Sequence, residues 1–125
     1  MKKGIQKERD LVNYLEYHNY KAVRVAGSGA GTKKARPDII AGNKRNIYAI
    51  ELKSSSRNSI YIKKEQIKEL LEFSKLFGAV PVVAVKFNYL PYCFMSVNDL
   101  TVTRAGNYTI NRDKAAKFKN KFVIT

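Results

Sequence analysis

The stretch PDIIAGNKRNIYAIELK, residues 37–53, predicts two short strands joined by a polar turn. Residues 38–41 and 47–53 are rich in isoleucine and other apolar side chains that favour extended backbone. Between them, residues 42–46 read GNKRN, a run of glycine, asparagine and charged side chains that is typical of a turn. We therefore expect the two runs to pair as a β-hairpin.

Three charged side chains are predicted to meet on one face of this hairpin. Residues i and i+2 of a strand point the same way, so Glu51 and Lys53 project together while Ile50 and Leu52 face the opposite side. Pairing through the turn can bring Asp38 close to Glu51. Carboxylates at that distance repel each other unless they share a proton or bind a cation. Oxygen ligands select a hard ion such as Mg²⁺.

This group of residues has two interpretations. A bound Mg²⁺ ion would polarise a scissile phosphate and lower the pKa of a bound water, while Lys53 could position that water or offset charge on the phosphoryl oxygens. The alternative is an ordinary surface salt bridge among Asp38, Glu51 and Lys53. The apolar residues around them indicate substantially buried strands, where unpaired charges are costly, and this favours a catalytic role.

Glu8 adds a third carboxylate, from a helix predicted over residues 4–18. On a helical wheel it interrupts the apolar stripe that contains Ile5, Leu11 and Leu15. A carboxylate directed at the core is costly unless a cation neutralises it, so Glu8 is a candidate ligand of the same ion, directly or through water. The alternative is a first-turn carboxylate stabilised by the helix dipole.

The net charge indicates a polyanionic partner. The 125 residues include 24 Lys and Arg against 10 Asp and Glu, which gives a formal charge of +14 and a pI near 10. Nucleic acid is the expected partner through phosphate neutralisation. An anionic membrane surface ranks lower, because no helix combines a lysine-rich face with a broad apolar face. The charge is uneven: residues 81–100 sum to zero, whereas residues 25–60 carry seven positive and two negative side chains.

Supporting contacts are predicted at several polar residues. Ser28, in a glycine-rich loop, could bond a phosphate or act near the scissile bond, although glycine-flanked serines are mostly flexible loop. The other predicted DNA contacts are Arg9, Arg24, Lys33, Lys34, Arg57 and Gln66. Solvated strand or helix positions are the alternative for the two arginines Arg9 and Arg24 and for Gln66.

Length, hydropathy and cysteine content set the overall class. We expect one domain over residues 1–125, without any apolar run near the roughly 18 residues that cross a bilayer, and a cytoplasmic location as the default. Cys93 is the only cysteine, which excludes an intramolecular disulfide and a zinc finger and favours a buried free thiol. His18 is the only histidine, so a histidine pair cannot act as general acid and base.

The remaining predicted elements surround the hairpin. Strands are expected at residues 20–26, 60–62, 80–85 and 92–97. A helix is expected over residues 64–77, ending at Gly78, with a core face of Ile67, Leu70, Leu71, Ser74 and Phe77. The C-terminal part is expected to form a small hairpin around residues 105–107 and a short, lysine-rich helix over residues 112–121.

Several of these segments resemble the PD-(D/E)xK nuclease superfamily and, more closely, the archaeal Holliday junction resolvases. The similarity is carried by KGIQKERD (3–10), AVRVAGSG (22–29), PDIIAGN (37–43), IELK (50–53), IYIKKEQ (60–66) and LEFSKLFGAVPVVAVKF (71–87). It covers roughly residues 3–87. The glycine-rich loop from Ser28 to Pro37 is longer than the family pattern.

The resemblance implies an α/β fold with a mixed central β-sheet flanked by helices, which is a restriction-endonuclease-like nuclease fold. It also implies Mg²⁺ dependence and a homodimer that introduces paired nicks into a branched DNA, the four-way junction. Residues that match the family's active-site positions are Glu8, Asp38, Glu51 and Lys53; residues that match its supporting positions are Arg9, Arg24, Ser28 and Gln66.

The second helix offers a physical basis for the implied dimer. Phe73 and Leu76 lie outside its predicted core arc, and exposed apolar surface favours a partner. Phe73 and Phe77 are therefore predicted to contribute to a two-fold interface, with packing beneath the C-terminal segment as the alternative. Two other functions stay open: a related repair or restriction-like nuclease acting on duplex or flap DNA, and a catalytically silent DNA-binding module.

Overall fold

The predicted hairpin lies at the centre of a five-stranded sheet. The structure is a computed structural model that describes residues 2–25 and 36–121. In chain order its elements are α1 (Lys2–Tyr17), β1 (Lys21–Arg24), β2 (Ile39–Gly42), β3 (Ile47–Ser55), β4 (Ser59–Ile62), α2 (Lys64–Phe77), β5 (Val80–Phe87), β6 (Cys93–Met95), a 3₁₀ turn (Val97–Asp99), β7 (Thr101–Val102), β8 (Tyr108–Asn111) and α3 (Arg112–Lys117).

Strands β2 and β3 pair antiparallel with Ile39 opposite Ile50, as the hairpin prediction requires. In the turn between them, the Asn43 side chain accepts hydrogen bonds from the backbone N–H groups of Arg45 and Asn46. The strand order is β1-β2-β3-β5-β6. β3 and β5 are parallel and the other neighbours antiparallel. The predicted mixed sheet is therefore confirmed.

The other strands form a separate three-stranded sheet in the order β4-β8-β7. β7 and β8 are the hairpin predicted around residues 105–107, and Gly106 there adopts a left-handed φ of 88°. β4 pairs antiparallel with β8, with Ile60 opposite Ile110. The sequence predicts these strands but not their union in a second sheet, because the pairing joins segments that are far apart in the chain.

Helices α1 and α2 cover opposite faces of the five-stranded sheet. Leu11 and Leu15 of α1 are fully buried in one apolar cluster. Ile67 and Leu70 of α2 are buried in a second cluster, which also contains residues of β4, β8 and α3. Alternate residues of β5 contribute to the two clusters, as strand geometry requires. Full burial of each leucine or isoleucine stabilises the fold by about 1.5–3 kcal/mol.

Helix α2 has the predicted bounds, but its core face is narrower than predicted. It ends because Gly78 adopts a left-handed φ of 82° and donates its N–H to the Ser74 carbonyl. Ile67, Leu70 and Ser74 are buried, whereas Leu71 and Phe77 are 41% and 51% exposed, so the prediction that these last two face the core is wrong. Leu71 lies on the flank of the buried arc, and Phe77 is the final residue of the helix.

Phe73 also differs from its predicted position. It is half-buried and packs against the second cluster instead of lying outside the core arc. Its ring stacks on that of Phe77, with 5.0 Å between centroids. Leu76 is 85% exposed, as predicted. An apolar face of α2 therefore does border solvent. It consists of Leu76 and Phe77, which lie three and four residues after Phe73, whereas Leu71 lies on the other flank of the buried arc.

The C-terminal helix is shorter than predicted. Helix α3 ends at Lys117 rather than near Lys121. Beyond it, the Asn120 side chain accepts a 2.7 Å hydrogen bond from the backbone N–H of Phe94 and donates to the Tyr92 carbonyl. These bonds hold an extended segment beside the edge strand β6, which explains why the helix does not continue.

Cys93 lies in the second apolar cluster and is a free thiol, as predicted. Burial raises the pKa of this thiol, so it is poorly reactive at neutral pH. In the part of the chain that the structure describes, no helix combines the length and apolar character needed to cross a membrane.

Candidate active site

The hairpin register brings Asp38 and Glu51 together at one end of β2. The Asp38 backbone N–H donates to the Ile50 carbonyl at 3.0 Å, so strand pairing continues one residue beyond β2. Its side-chain Oδ2 accepts a 2.8 Å hydrogen bond from the backbone N–H of Leu52. That bond ties the Asp38 carboxylate across to β3, beside the Glu51 side chain. This is the proximity that the hairpin geometry predicts.

Lys53 joins the two carboxylates from the same face of β3. Its Nζ lies 3.7 Å from Oε2 of Glu51 and donates a 3.3 Å hydrogen bond to Oε1 of Gln66 on α2. The side chains of Lys53 and Glu51 are only 24% and 16% exposed. Gln66 is half-buried, so it reaches the site rather than lying exposed on the helix. The lysine ammonium is thereby held at a defined position.

Glu8 approaches from α1, where it is paired with an arginine. Nε of Arg24, on β1, donates a 3.1 Å hydrogen bond to Oε1 of Glu8, and both side chains are partly buried. The cost of directing a carboxylate inward from the apolar stripe of α1 is thus offset in part by Arg24. The sequence predicts both residues near the site, but it does not predict this pairing.

The electrostatics of the site favour protonated carboxyl groups. Burial raises the pKa of Asp38; the hydrogen bond from Leu52 opposes this effect, the charge of Glu8 adds to it, and Lys53 opposes it. Burial and the charge of Asp38 raise the pKa of Glu51 to about 7, although Lys53 acts in the opposite direction. The ammonium group of Lys53 therefore does not fully offset the negative charges of the Asp38 and Glu51 carboxylates.

This charge imbalance fits a hard divalent cation. Such an ion would be held by the carboxylates of Asp38 and Glu51. No group of three or more His, Cys, Asp or Glu residues over 2–25 and 36–121 is arranged to hold a metal by itself. Mg²⁺ suits this incomplete set, because it commonly takes one or two protein carboxylates together with waters and substrate phosphates.

An open cleft of about 460 Å³ lies between α1, the hairpin and α2. Its lining includes Glu8, Asp38, Glu51, Lys53 and Gln66. The cleft is large enough to admit a phosphodiester and its neighbouring atoms. A partly buried pair of carboxylates that lines such a cleft suits metal-assisted hydrolysis.

Comparison with known proteins identifies the family. The model of the archaeal Holliday junction resolvase (Hjc) family matches residues 1–124. This chain belongs to that family. The fold also matches the solved structure of Archaeoglobus fulgidus Hjc, described as a Holliday junction resolvase from an archaeal hyperthermophile, with a TM-score of 0.82, 34% identity and 88% of each chain covered. The predicted family and nuclease fold are both confirmed.

Individual relatives agree with this assignment. The chain is 40% identical over 87 residues to the crossover junction endodeoxyribonuclease Hjc of Methanocaldococcus jannaschii, a match that covers 70% of this chain and 61% of the relative, less than two thirds of its length. The Archaeoglobus fulgidus Hjc is 38% identical over 101 residues, with 81% and 74% covered. The crossover junction endodeoxyribonuclease of Sulfolobus islandicus rod-shaped virus 1 is 33% identical, with 92% and 87% covered.

The remaining predicted contacts of this resolvase-family chain are not all in the cleft. Arg9 is exposed on α1 and does not line it. Arg57 lines a neighbouring groove. Ser28, Lys33 and Lys34 lie outside the described residues, so their predicted roles stay predictions. The catalytic and metal-binding roles of Glu8, Asp38, Glu51 and Lys53 also stay predictions.

The cleft contains residues that the sequence does not single out. Lys7, Arg36, Ser54 and Glu69 all contribute to its lining. Glu69 lies one turn after Gln66 on α2, so the same helix face supplies both, and this spacing is a usable sequence signal. Lys7 has no comparable signal, because which side of Glu8 faces the hairpin depends on how α1 packs on the sheet.

Proposed function

We propose that this chain is a divalent-metal-dependent endonuclease that resolves four-way DNA junctions by paired cuts. The proposal is carried by the partly buried carboxylates of Asp38 and Glu51 beside Lys53, in the cleft of a chain that belongs to the resolvase family. The substrate class comes from the names of the relatives, which are crossover junction endodeoxyribonucleases. The charge of +14 supports binding to a polyanion such as DNA.

Asp38 and Glu51 are the proposed ligands of the ion, and Mg²⁺ is the proposed ion. Bound there, Mg²⁺ would supply Lewis-acid activation of the scissile phosphate and of the attacking water. The Leu52 N–H fixes the orientation of the Asp38 carboxylate, which keeps it positioned before substrate arrives. Glu8, held by Arg24, is proposed to act on the same ion through water.

Lys53 is the proposed electrostatic catalyst. In the hydrolysis, a water oxygen bonds to phosphorus and the water gives up a proton, while the bond from phosphorus to O3′ breaks and O3′ takes up a proton. The products are a 5′-phosphate and a 3′-hydroxyl. Negative charge grows on the phosphoryl oxygens during this exchange, and the Lys53 ammonium, held beside Glu51 and Gln66, offsets it.

A substrate panel tests the proposal. The protein is incubated with Mg²⁺ and equimolar four-way junction, linear duplex and flap DNA, each labelled on one strand at a time. We expect cutting of the junction on two opposite strands, with far less cutting of the other two substrates and none in EDTA. Equal cutting of all three would favour a general repair or restriction-like nuclease. Binding without cutting would favour a silent DNA-binding module, and either outcome contradicts the proposal.

A homodimer is part of the proposed function, because two opposite strands must be cut. The exposed apolar face of α2, formed by Leu76 and Phe77, is the proposed contact between two copies. Phe73 contributes through its stacking on Phe77, although it is half-buried in the core. A cytoplasmic location remains a prediction that accords with DNA as the substrate.

Sedimentation equilibrium tests the dimer. Leu76→Glu places a charge at the most exposed apolar position of the face and is expected to yield a monomer that cuts one strand per encounter. Lys68→Glu introduces the same side chain at an exposed position on the opposite side of α2 from Phe77; it is the matched control and should stay dimeric. A monomeric wild type, or a dimeric Leu76→Glu variant with unchanged paired cutting, would count against this interface.

A further inference from the structure

A second groove adjoins the catalytic cleft. It is lined by residues of α1, by residues 54–57 at the end of β3 and directly after it, and by Asn88 directly after β5. Lys7 and Ser54 line both cavities. The groove therefore continues from the cleft, and a DNA strand that is bound at Asp38 and Glu51 can extend into it.

The chemistry of this groove fits a sugar–phosphate backbone. Every described side chain in its lining is polar. Lys7 and Arg57 are cationic, while the serine hydroxyls and Asn88 amide are neutral hydrogen-bond donors. Its one acid, Asp10, accepts a 2.8 Å hydrogen bond from Gln6. Because no aromatic or aliphatic residue lines the groove, phosphate contacts are expected there rather than base recognition.

The loop that forms one wall is already held in place. The Ser55 side chain accepts a 2.9 Å hydrogen bond from the Arg57 N–H, and the Ser55 carbonyl accepts one of 3.2 Å from the Asn88 N–H. At the far end of the loop, the Asn58 carbonyl accepts a 2.8 Å bond from the Arg112 N–H. A wall fixed by backbone bonds loses little conformational entropy when a ligand binds.

We infer that this groove is a phosphate subsite for the cleaved strand, next to the scissile phosphate, with Lys7 and Arg57 as its charged contacts. Lys7, at the boundary of the two cavities, contacts the phosphate nearest the cut, and Arg57 contacts one further along the same strand. This inference rests on the proposed function, and it assigns a role to Lys7 that the sequence does not predict.

A phosphate scan tests the subsite. Junctions are prepared in which one phosphate at a time, on either side of the cut, is replaced by an uncharged methylphosphonate. Affinity is measured without divalent metal, and single-turnover cutting is measured with Mg²⁺. For the wild type we expect about a fivefold to tenfold loss of affinity at one or two phosphates on one side only. Lys7→Ala and Arg57→Ala should each remove the penalty at one of these phosphates.

Each of these variants should also lower the slope of log affinity against log salt by about one. Lys68→Ala, an exposed lysine on α2 that lines neither cavity, is the matched control and should keep the wild-type penalties. All three side chains are exposed, so the variants are expected to fold.

The inference is overturned if the wild type shows no position-dependent penalty, or if Lys7→Ala and Arg57→Ala keep the full wild-type pattern. Because the binding scan needs no metal and no cutting, its result is independent of the proposed catalysis. A protein that binds with the expected pattern but cuts no DNA would contradict the proposed nuclease and leave the phosphate subsite standing.

Discussion

Two charged regions of this molecule each pair a carboxylate with a lysine, but they differ in how fully the neighbouring groups satisfy the carboxylate. In the catalytic cleft, Glu51 lies within 3.7 Å of Lys53, yet its pKa is raised to about 7 by burial and by Asp38. On the C-terminal surface, Asp99 lies 3.1 Å from Lys121, which is 73% exposed. Burial opposes ionisation of Asp99 too, but bonds from Lys121 and Ser96 outweigh it and lower its pKa.

This difference indicates that the cleft carries out the reaction, whereas the C-terminal surface contributes to binding. The Asp99 carboxylate is satisfied by its own neighbours, and the exposed lysines around it are solvated and screened by salt. The Asp38 and Glu51 carboxylates are not satisfied by theirs, so a cation or a proton has to complete the site. We therefore expect substitutions in the cleft to change the reaction, and substitutions on the C-terminal surface to change mainly affinity.

The largest effect is expected from removing one carboxylate charge in the cleft. Asp38→Asn and Glu51→Gln should each lower the single-turnover rate of junction cutting by about 10²-fold or more, because the metal site loses a ligand. Junction binding without metal should persist. Asp113→Asn, an exposed carboxylate on α3, is the control and should cut at the wild-type rate. Cutting rates on labelled junctions test this prediction. An Asp38→Asn variant that cuts at the wild-type rate would contradict the assignment of Asp38 as a metal ligand.

The next effect is a pH dependence of stability with a defined sign. The pKa of Glu51 rises from an ordinary 4.5 to about 7 on folding, so between these values the native state binds more protons than the unfolded state. Without divalent metal, the unfolding free energy should fall as the pH rises from 4.5 through 7, by at most about 3 kcal/mol from this residue. Glu51→Gln should flatten the curve.

Urea unfolding between pH 5 and pH 8 measures this dependence. The Asp99→Asn variant sharpens the comparison, because the pKa of Asp99 is lowered and its contribution is lost only in acid. That variant should keep the wild-type slope over this range. A wild-type protein whose stability rises over the same range would show that the sign assigned to Glu51 is incorrect.

A smaller effect is expected at Gln66, which positions Lys53 without touching the phosphate. Gln66→Ala removes the 3.3 Å bond to the Lys53 Nζ and should slow cutting by about threefold to tenfold, the equivalent of about 1 kcal/mol. Glu72→Ala, exposed further along α2, should have no effect on the rate. Single-turnover kinetics at saturating protein separate this loss from any change in binding, and equal rates for the two variants would remove Gln66 from the site.

The smallest effect is expected at the C-terminal surface. Lys121→Ala breaks the pair with Asp99 and should change the unfolding free energy by less than about 1 kcal/mol, since the lysine is exposed. The saturated rate of cutting should not change. Urea unfolding and single-turnover assays check both statements, and a rate loss as large as that of Gln66→Ala would mean that the two regions are not separate.

Local periodicity was sufficient to predict the centre of the site. A strand places Glu51 and Lys53 on one face whatever surrounds it, and a hairpin turn fixes which residue lies opposite, so Asp38 follows. The bounds of α2 could be predicted for a similar reason, because Gly78 ends the helix through its own backbone conformation. These features depend on residues that are near each other in the sequence.

Features that depend on packing could not be predicted in this way. The pairing of Glu8 with Arg24 requires knowing how α1 lies against β1, and the second sheet requires the meeting of β4 and β8. The core face of α2 shows the same limit. A helical wheel ranks Leu71 and Phe77 with the core, yet the sheet covers a narrower arc, and Phe73 is drawn against the second cluster.

Helix α2 connects the proposed cutting site with the proposed dimer contact. Its first turn contains Gln66, which contacts Lys53, and its last residue is Phe77, in the exposed apolar face. Phe77 is eleven residues after Gln66, which is about 16 Å along the helix at 1.5 Å per residue. In a dimer joined through this face, the two α2 helices would be rigid spacers that fix the distance between the two cuts. The geometry of the protein dimer, rather than that of the flexible junction, would then determine where the second strand is cut.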